Sequence, residues 1–187
     1  MILAATGAST WLWYFGRASG LVALVLLTGV IVLGVLGPLR VKSESWPRFA
    51  IRTVHRDVSL LVLLVIAIHV VVLVLDTTVH VPLTAAILPW GSSYAPFWIG
   101  IGAVGFDMLI AIVVTSLLRR RFGYRTWRFV HWLAYVSWPL AVAHGLGAGS
   151  DRSSTWAIGL TLGCIAIAAA AVVLRVTYGA AAKGLEA

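Results

Sequence analysis

The sequence predicts an all-α integral membrane protein, and two observations predict it: the composition and a series of long apolar segments. Hydrophobic residues make up 61% of the 187 residues and charged residues only 11%, whereas a soluble domain is about half apolar and about a quarter charged. A helix needs about 20 mostly apolar residues to cross a bilayer. Several such segments follow one another, so we expect one bundle of transmembrane helices that forms a single domain, residues 1–187.

Five segments are long and apolar enough to be transmembrane helices. They cover residues 18–38, 54–75, 98–118, 129–147 and 156–177. Gly37 and Pro38 end the first segment. The loop 76–97 contains three prolines, which break helices because proline lacks the backbone N–H that a helix interior requires. This loop is therefore expected to be largely non-helical.

The positions of the basic residues predict the orientation in the membrane. The loops 39–53 and 119–128 are rich in arginine and lysine, whereas the loop 76–97 has neither and the loop 148–155 has only Arg152. Because cytoplasmic loops carry the excess of basic residues, we expect a multi-pass protein of the plasma membrane with its N-terminus outside and its C-terminus in the cytoplasm. The net charge of +8 is then explained by loops that face anionic membrane lipid, and nucleic acid is not an expected partner.

The chain has a single cysteine, Cys164, which lies within an apolar segment. One cysteine excludes an internal disulfide, a cysteine-ligated iron–sulfur cluster and the paired thiols that attach c-type haem. We expect Cys164 to be a small core residue.

Two of the predicted helices carry a histidine at each end of an apolar run. HRDVSLLVLLVIAIH extends from His55 to His69, and HWLAYVSWPLAVAH extends from His131 to His144. Both helices run from the cytoplasmic side to the outer side, so His55 and His131 share an inner level and the other two share an outer level. At about 1.5 Å per residue, the two levels are roughly 20 Å apart. The sequence thus predicts two layers of imidazoles within the hydrocarbon core.

Several chemical roles are open to histidines in a membrane. A lone histidine usually forms an interhelical hydrogen bond, a zinc site would need further Cys, Asp or Glu ligands, and a proton relay would need interspersed acids. Acidic residues are few and are not clustered near the histidines. Neutral imidazoles that face each other across an apolar slot suit the two axial positions of a haem iron. We therefore predict two stacked b-type haems; the alternative is a haem-free scaffold or transporter subunit with hydrogen-bonded histidines.

The spacing of each pair sets a geometric condition. His55 and His69 are 14 residues apart in the sequence, and His131 and His144 are 13 apart. Since an ideal helix turns about 100° per residue, the first two are about 40° apart around the helix axis and the second two about 140°. Pro139 lies between the second two, and proline kinks helices. The sequence therefore predicts a kink with a local change of winding that re-aims one imidazole.

The histidine spacing and three further stretches resemble a known superfamily. RASGLVALVLL (17–27), TSLLRRRFGYRTWRFVH (115–131) and AHGLGAGSD (143–151) are similar to the bacterial branch of the ferric reductase-like transmembrane domain. That superfamily includes NADPH oxidases, ferric reductases and the haem-binding membrane subunit of the periplasmic methionine sulfoxide reductase. The resemblance covers nearly the whole chain. Many relatives have six helices, so the bundle is expected to contain five or six.

The resemblance implies both the ligands and the function. His55 with His131 would ligate the inner haem iron, and His69 with His144 the outer one. No flavin- and nicotinamide-binding domain is expected after the last helix, so the electrons would come from a separate flavoprotein reductase or from quinol, with flavin or quinone as further cofactors. The acceptor outside would be ferric iron, oxygen or a partner redox protein. The chain would then be the haem subunit of an oxidoreductase.

Cationic side chains near the two levels are candidates for contacts with the anionic haem propionates. Positive-inside topology alone explains most of the charge at the inner face. Arg17, however, lies outside at the start of the first helix, where topology does not require a cation, and Gly16 and Gly20 leave room there for a bulky neighbour. The six candidates are Arg17, Arg52, Arg56, Arg125, Arg128 and Arg152.

Three further residues have two or more interpretations each. Trp138 lies midway between the histidine levels. It is either an electron relay or a packing residue of the core. Asp107 lies near the middle of the third helix, where an ionised carboxylate is costly, so it is protonated, hydrogen-bonded or part of a proton or quinone path. His80, in the outer loop, is an interfacial side chain or a substrate or metal contact near the outer haem.

Overall fold

A computed structural model describes residues 2–37, 48–77, 79–149, 151 and 153–184. Within these ranges the chain forms α-helices and one short 3₁₀ helix, Leu83–Ala86, and no strand. The α-helices are α1 (Ile2–Leu36), α2 (Arg48–Leu75), α3 (Pro96–Leu117), α4 (Arg119–His131), α5 (Ala134–Ala148) and α6 (Thr155–Gly184). The predicted all-α fold class is confirmed.

Four of the helices contain a segment that is long and apolar enough to cross a membrane. The segments are Trp11–Leu36, Phe49–Leu75, Pro96–Leu117 and Thr155–Tyr178. They coincide with four of the five segments predicted from the sequence. Many of their large apolar side chains are exposed, as expected for helices whose outer faces contact lipid rather than water. The chain is therefore a multi-pass membrane protein.

The remaining predicted helix, 129–147, is not continuous, and this part of the prediction is wrong. α4 ends at His131 and α5 begins at Ala134. α5 has 15 residues, so it extends only about 22 Å, less than the roughly 30 Å of a hydrocarbon core. α4 has no buried residue and is broken at Gly123, where φ is 76°.

The connection between α4 and α5 is wound more tightly than an α-helix. The N–H of Leu133 donates to the carbonyl of Val130 at 3.0 Å, and the N–H of Val136 donates to that of Leu133 at 3.0 Å. The N–H of Tyr135 bonds to the carbonyl of Trp132 in the same way, at 3.1 Å. Such bonds across three residues define a 3₁₀ turn, which winds at about 120° per residue instead of about 100°.

α1 is the central helix of the bundle. It packs along α2 and α6 and also contacts α5, whereas α3 packs mainly against α5. α2 and α5, which carry three of the four paired histidines, make at most marginal backbone contact over the described residues. A space therefore lies between α2 and α5, and the histidine side chains extend into it.

Two apolar clusters join α1, α5 and α6. Trp138 packs against both of them. The first consists of Leu24, Val142 and Cys164, and the second of Ile31, Val35 and Ala171. Cys164 is thus a buried core residue, as predicted. These clusters hold α5 against α1 at depths between the histidine levels.

Candidate functional site

The four predicted histidines come together in two pairs. The ring centroids of His55 and His131 are 6.2 Å apart, and those of His69 and His144 are 6.4 Å apart. All four side chains are half-buried. In each pair one imidazole comes from α2 and the other from the end of α4 or from α5, so each pair bridges the space between these helices.

The 3₁₀ turn explains how His131 and His144 can both face α2. On an ideal α-helix they would be about 140° apart. Each 3₁₀ residue adds about 20° of rotation, so the turn of residues 132–136 reduces this angle to roughly 40–60°. The predicted change of winding is therefore present, but it lies before Pro139 and not at the proline itself.

Backbone carbonyls orient the imidazoles of the outer pair. Nδ1 of His69 is 2.7 Å from the carbonyl oxygen of Gly16 on α1, and Nδ1 of His144 is 2.8 Å from that of Trp98 on α3. Since a carbonyl oxygen only accepts hydrogen bonds, Nδ1 is the protonated nitrogen in each neutral ring. The lone pair on Nε2 is then available to a metal, which is the usual arrangement of metal-ligating histidines.

The inner pair has different surroundings. Nδ1 of His131 is buried without a hydrogen-bond partner in the described part of the protein. Nδ1 of His55 is also buried without a hydrogen bond of good geometry, and the His55 side chain lies beside the backbone of Val30. The His131 ring instead stacks on Trp127, with the ring centroids 5.1 Å apart and the planes at 27°. Mostly apolar side chains line a cleft beside this pair, among them Leu27, Ile31, Val62, Leu109 and Ile112. The cleft has a volume of about 120 Å³.

The donor set fits an iron held between two imidazoles. A metal–imidazole bond is about 2.0 Å long and the ring centroid lies about 1.1 Å behind the nitrogen, so a metal between two rings separates their centroids by about 6 Å. The observed distances, 6.2 and 6.4 Å, match this value. Among the described residues no group of three or more His, Cys, Asp or Glu side chains could hold a metal ion. Two-ligand sites suit a metal that brings its equatorial ligands with it, as haem iron does.

A comparison with known families identifies the family of this chain. Residues 19–142 match the family described as ferric reductase like transmembrane component. The chain belongs to this family. The match includes His55, His69 and His131 and ends two residues before His144. Comparisons with curated proteins and with solved structures found no match. The predicted resemblance is confirmed, and membership of the ferric reductase-like family supports a transmembrane redox role.

In this ferric reductase-like component, Arg17 forms an ion pair with Asp151. Its guanidinium also lies over the ring of Trp13, 4.1 Å from the centroid, and 5.9 Å from the centroid of Tyr14. The ion pair joins α1 to the connection between α5 and α6. The predicted contact of Arg17 with a haem propionate stays a prediction. Asp151 was not predicted as a partner of Arg17, although it is the one acidic residue in the loop 148–155.

The other propionate candidates lie at the surface or outside the described residues. Arg52, Arg125 and Arg128 are exposed. Arg56 is also exposed, and its Nε donates to the carboxylate of Asp57 at 2.9 Å. Arg152 lies outside the described residues. Their contacts with propionates stay predictions.

The three residues of uncertain role are in three different environments. Trp138 is half-buried and its indole N–H donates to Oγ1 of Thr28 at 3.0 Å. Asp107 is half-buried near the middle of α3, and His80 is exposed in the outer loop. No contact that the structure describes joins Asp107 or His80 to a histidine pair.

Proposed function

We propose that this ferric reductase-like component transfers electrons across the membrane through two b-type haems, one at each histidine pair. When bound, haem iron supplies a one-electron ferric/ferrous couple. His55 and His131 would hold the inner group, and His69 and His144 the outer group. The observation that carries the proposal is the presence of two facing imidazole pairs, with centroids 6.2 and 6.4 Å apart.

The protein's own residues contribute orientation and an apolar environment. The carbonyls of Gly16 and Trp98 accept from Nδ1 of the outer imidazoles, which fixes each ring and makes Nε2 a stronger donor. The apolar lining at the inner pair keeps water from the ligating nitrogens. Since 14 residues separate His55 from His69 on α2, the two levels are about 21 Å apart. An aromatic residue at intermediate depth, Trp138, is the proposed relay between them.

The direction of transfer follows from the charge distribution. The arginines of α4 and of the start of α2 mark the proposed cytoplasmic side. The donor there is a separate flavoprotein reductase or quinol, and the acceptor outside is ferric iron, oxygen or a partner redox protein. On this proposal residues 1–187 act as one cytochrome b domain of the plasma membrane.

A haem-free scaffold is the competing function, and one observation favours it. The hydrogen bonds of His69 and His144 join α2 to α1 and α5 to α3, so they would stabilise the bundle without any cofactor. The same explanation is weaker for the inner pair: His55 lies beside the backbone of Val30 on α1, but Nδ1 of His131 has no hydrogen-bond partner among the described residues. Hydrogen bonding therefore does not explain why His131 faces His55 across the space between α2 and α5, whereas a shared iron ligated by both imidazoles would.

The deciding experiment measures haem in the purified chain. We expect a pyridine haemochrome assay to give two haems per fully loaded chain and the absorption spectrum to be low-spin, because two imidazoles would ligate each iron. A colourless but stably folded protein, purified after expression with added haem, would establish the scaffold instead. One haem per chain would mean that one histidine pair is structural.

A further inference from the structure

Three of the four paired histidines pack directly on a glycine of a neighbouring helix. A Cβ atom on Gly20 would lie 2.9 Å from Cε1 of His69, and a Cβ atom on Gly102 would lie 2.5 Å from Nδ1 of His144. A Cβ atom on Gly34 would lie 3.4 Å from Cε1 of His55. Heavy atoms closer than about 3 Å overlap strongly, since carbon atoms in contact prefer about 3.5–4.0 Å. At Gly20 and Gly102 a side chain would therefore displace the imidazole.

Both outer glycines stand in the same relation to the carbonyl that orients the histidine. His69 bonds to the carbonyl of Gly16, four residues before Gly20, and His144 bonds to that of Trp98, four residues before Gly102. In an α-helix the carbonyl of residue n already accepts from the N–H of residue n+4. It retains a second lone pair, and the side chain of residue n+4 can reach it, as serine and threonine hydroxyls do. A glycine at n+4 adds no such side chain, so a histidine of another helix can approach the carbonyl. At Gly16 the hydroxyl of Ser19 also donates to the carbonyl, at 2.9 Å, and lies 3.4 Å from Nδ1 of His69.

We propose that Gly20 and Gly102 are positioning residues of the outer site. Because they lack side chains, Nδ1 of His69 and of His144 can approach a carbonyl that a side chain would cover. This contact holds the opposite nitrogen, Nε2, towards the cofactor space. The inference rests on the proposed haem function and adds to it the residues that set the orientation of the ligands.

The inner level repeats this arrangement only in part. Gly34 follows Gly20 by 14 residues, the spacing that also separates His55 from His69, so α1 presents a glycine at both levels. The contact at Gly34 is looser, at 3.4 Å. His55 lies beside the backbone of Val30, four residues before Gly34, but its Nδ1 forms no hydrogen bond of good geometry within the described ranges. We therefore expect a graded effect of substitution, large at the outer level and small at Gly34.

The chain offers matched controls on the same two helices. A Cβ on Gly29 of α1 would have no heavy atom within 4 Å, and a Cβ on Gly105 of α3 would meet its nearest atoms at 3.7 Å. Gly29→Ala and Gly105→Ala have the same change in helix propensity as Gly20→Ala and Gly102→Ala. Unlike Gly20 and Gly102, neither control glycine contacts a histidine.

The test compares the spectra and potentials of these purified, haem-loaded variants. We expect Gly20→Ala and Gly102→Ala each to convert about half of the low-spin electron paramagnetic resonance signal to high-spin, or to lose it, while both controls keep the full signal. Any low-spin outer haem that remains should titrate at a higher potential, because a weaker Nδ1 hydrogen bond makes the imidazole a poorer donor to ferric iron. Unchanged spectra and potentials in both variants would overturn the inference.

Two further measurements separate this inference from its premise. If the unsubstituted chain binds no haem, the proposed function fails. Nitrogen-15 NMR of the histidines in the haem-free chain then tests the contact itself. We expect Nδ1 of His69 to be protonated in the unsubstituted chain, and Gly20→Ala to release His69 from that tautomer. If Gly20→Ala fails to fold, adding His69→Ala should restore folding, because the smaller side chain removes the overlap. A double variant that stays unfolded would show that Gly20 does not act through His69.

Discussion

The indole N–H of Trp138 donates a hydrogen bond to the hydroxyl of Thr28, at 3.0 Å, and thereby links α5 to α1 at a depth between the two histidine pairs. Thr28 is only 3% exposed and donates in turn to the carbonyl of Leu24 at 2.8 Å. Trp138 also packs against two apolar clusters. Its ring therefore has a fixed orientation, which both a relay and a core residue would require.

Substitution of Trp138 distinguishes these two roles. Trp138→Phe keeps an aromatic ring and loses one hydrogen bond, so we expect a stability loss of about 1 kcal/mol and an electron transfer rate between the haems close to that of the unsubstituted chain. Trp138→Leu removes the ring. If Trp138 is a relay, electron transfer between the haems should be clearly slower in this variant, at unchanged haem content. Trp156→Leu, at a tryptophan that is 60% exposed, is the control. Equal transfer rates in all three variants would make Trp138 a packing residue only.

Substitutions of His144 and His131 test whether the two sites are independent. His144→Leu removes one outer ligand without adding a charge, so the outer haem should be lost or become high-spin while the inner haem, about 20 Å away, keeps its bis-histidine spectrum. Reduction from the cytoplasmic side should continue, and transfer to an outside acceptor should fail. His131→Leu should have the opposite effect on the two spectra.

Two outcomes would contradict this pairing. If either substitution removed both haems from a folded chain, the sites would not be independent. If His144→Leu left both signals unchanged, His69 would have another partner, and His80 would be the first residue to substitute.

The sequence was sufficient to predict the helical membrane fold and the two levels of the histidines, because both depend on the number of residues along single helices. The direction of His131 relative to His144 depends on the 3₁₀ turn between them, which the sequence did not locate. The spacing of His55 and His69 sets their level and direction on α2 wherever that helix lies. Contacts between helices are different. Arg17 meets Asp151, and His69 meets the carbonyl of Gly16, only because of how α1 is placed against its neighbours, and no local pattern encodes that placement.

The Arg17–Asp151 ion pair predicts a stability effect that a propionate contact would not produce. Both side chains are about one-fifth exposed, at 21% and 19%, so Arg17→Gln and Asp151→Asn should each lower the free energy of unfolding by about 1–2 kcal/mol. The double variant should be about as stable as the less stable of the two single variants, because both changes remove the same interaction. Arg56→Gln is the control, since its pair with Asp57 is exposed.

The potential of the outer haem tests the other role of Arg17. If Arg17 bound a propionate instead of Asp151, Arg17→Gln would shift that potential and Asp151→Asn would leave the stability of the chain unchanged. A redox titration and a thermal melt of the two single variants decide between the partners.

The 3₁₀ turn between His131 and His144 predicts that the chain tolerates an insertion there. Five residues of 3₁₀ helix rotate by about 600° and rise about 10 Å, and six residues of α-helix rotate by about 600° and rise about 9 Å. One alanine inserted between Leu133 and Ala134 can therefore turn the segment into a regular α-helix without moving either imidazole, and we expect both low-spin haem signals to persist. The same insertion between Leu63 and Leu64 of α2, which is regular, should rotate His55 by about 100° relative to His69 and abolish one signal or both. Equal haem loss from the two insertions would show that the turn does not set the direction of the histidines.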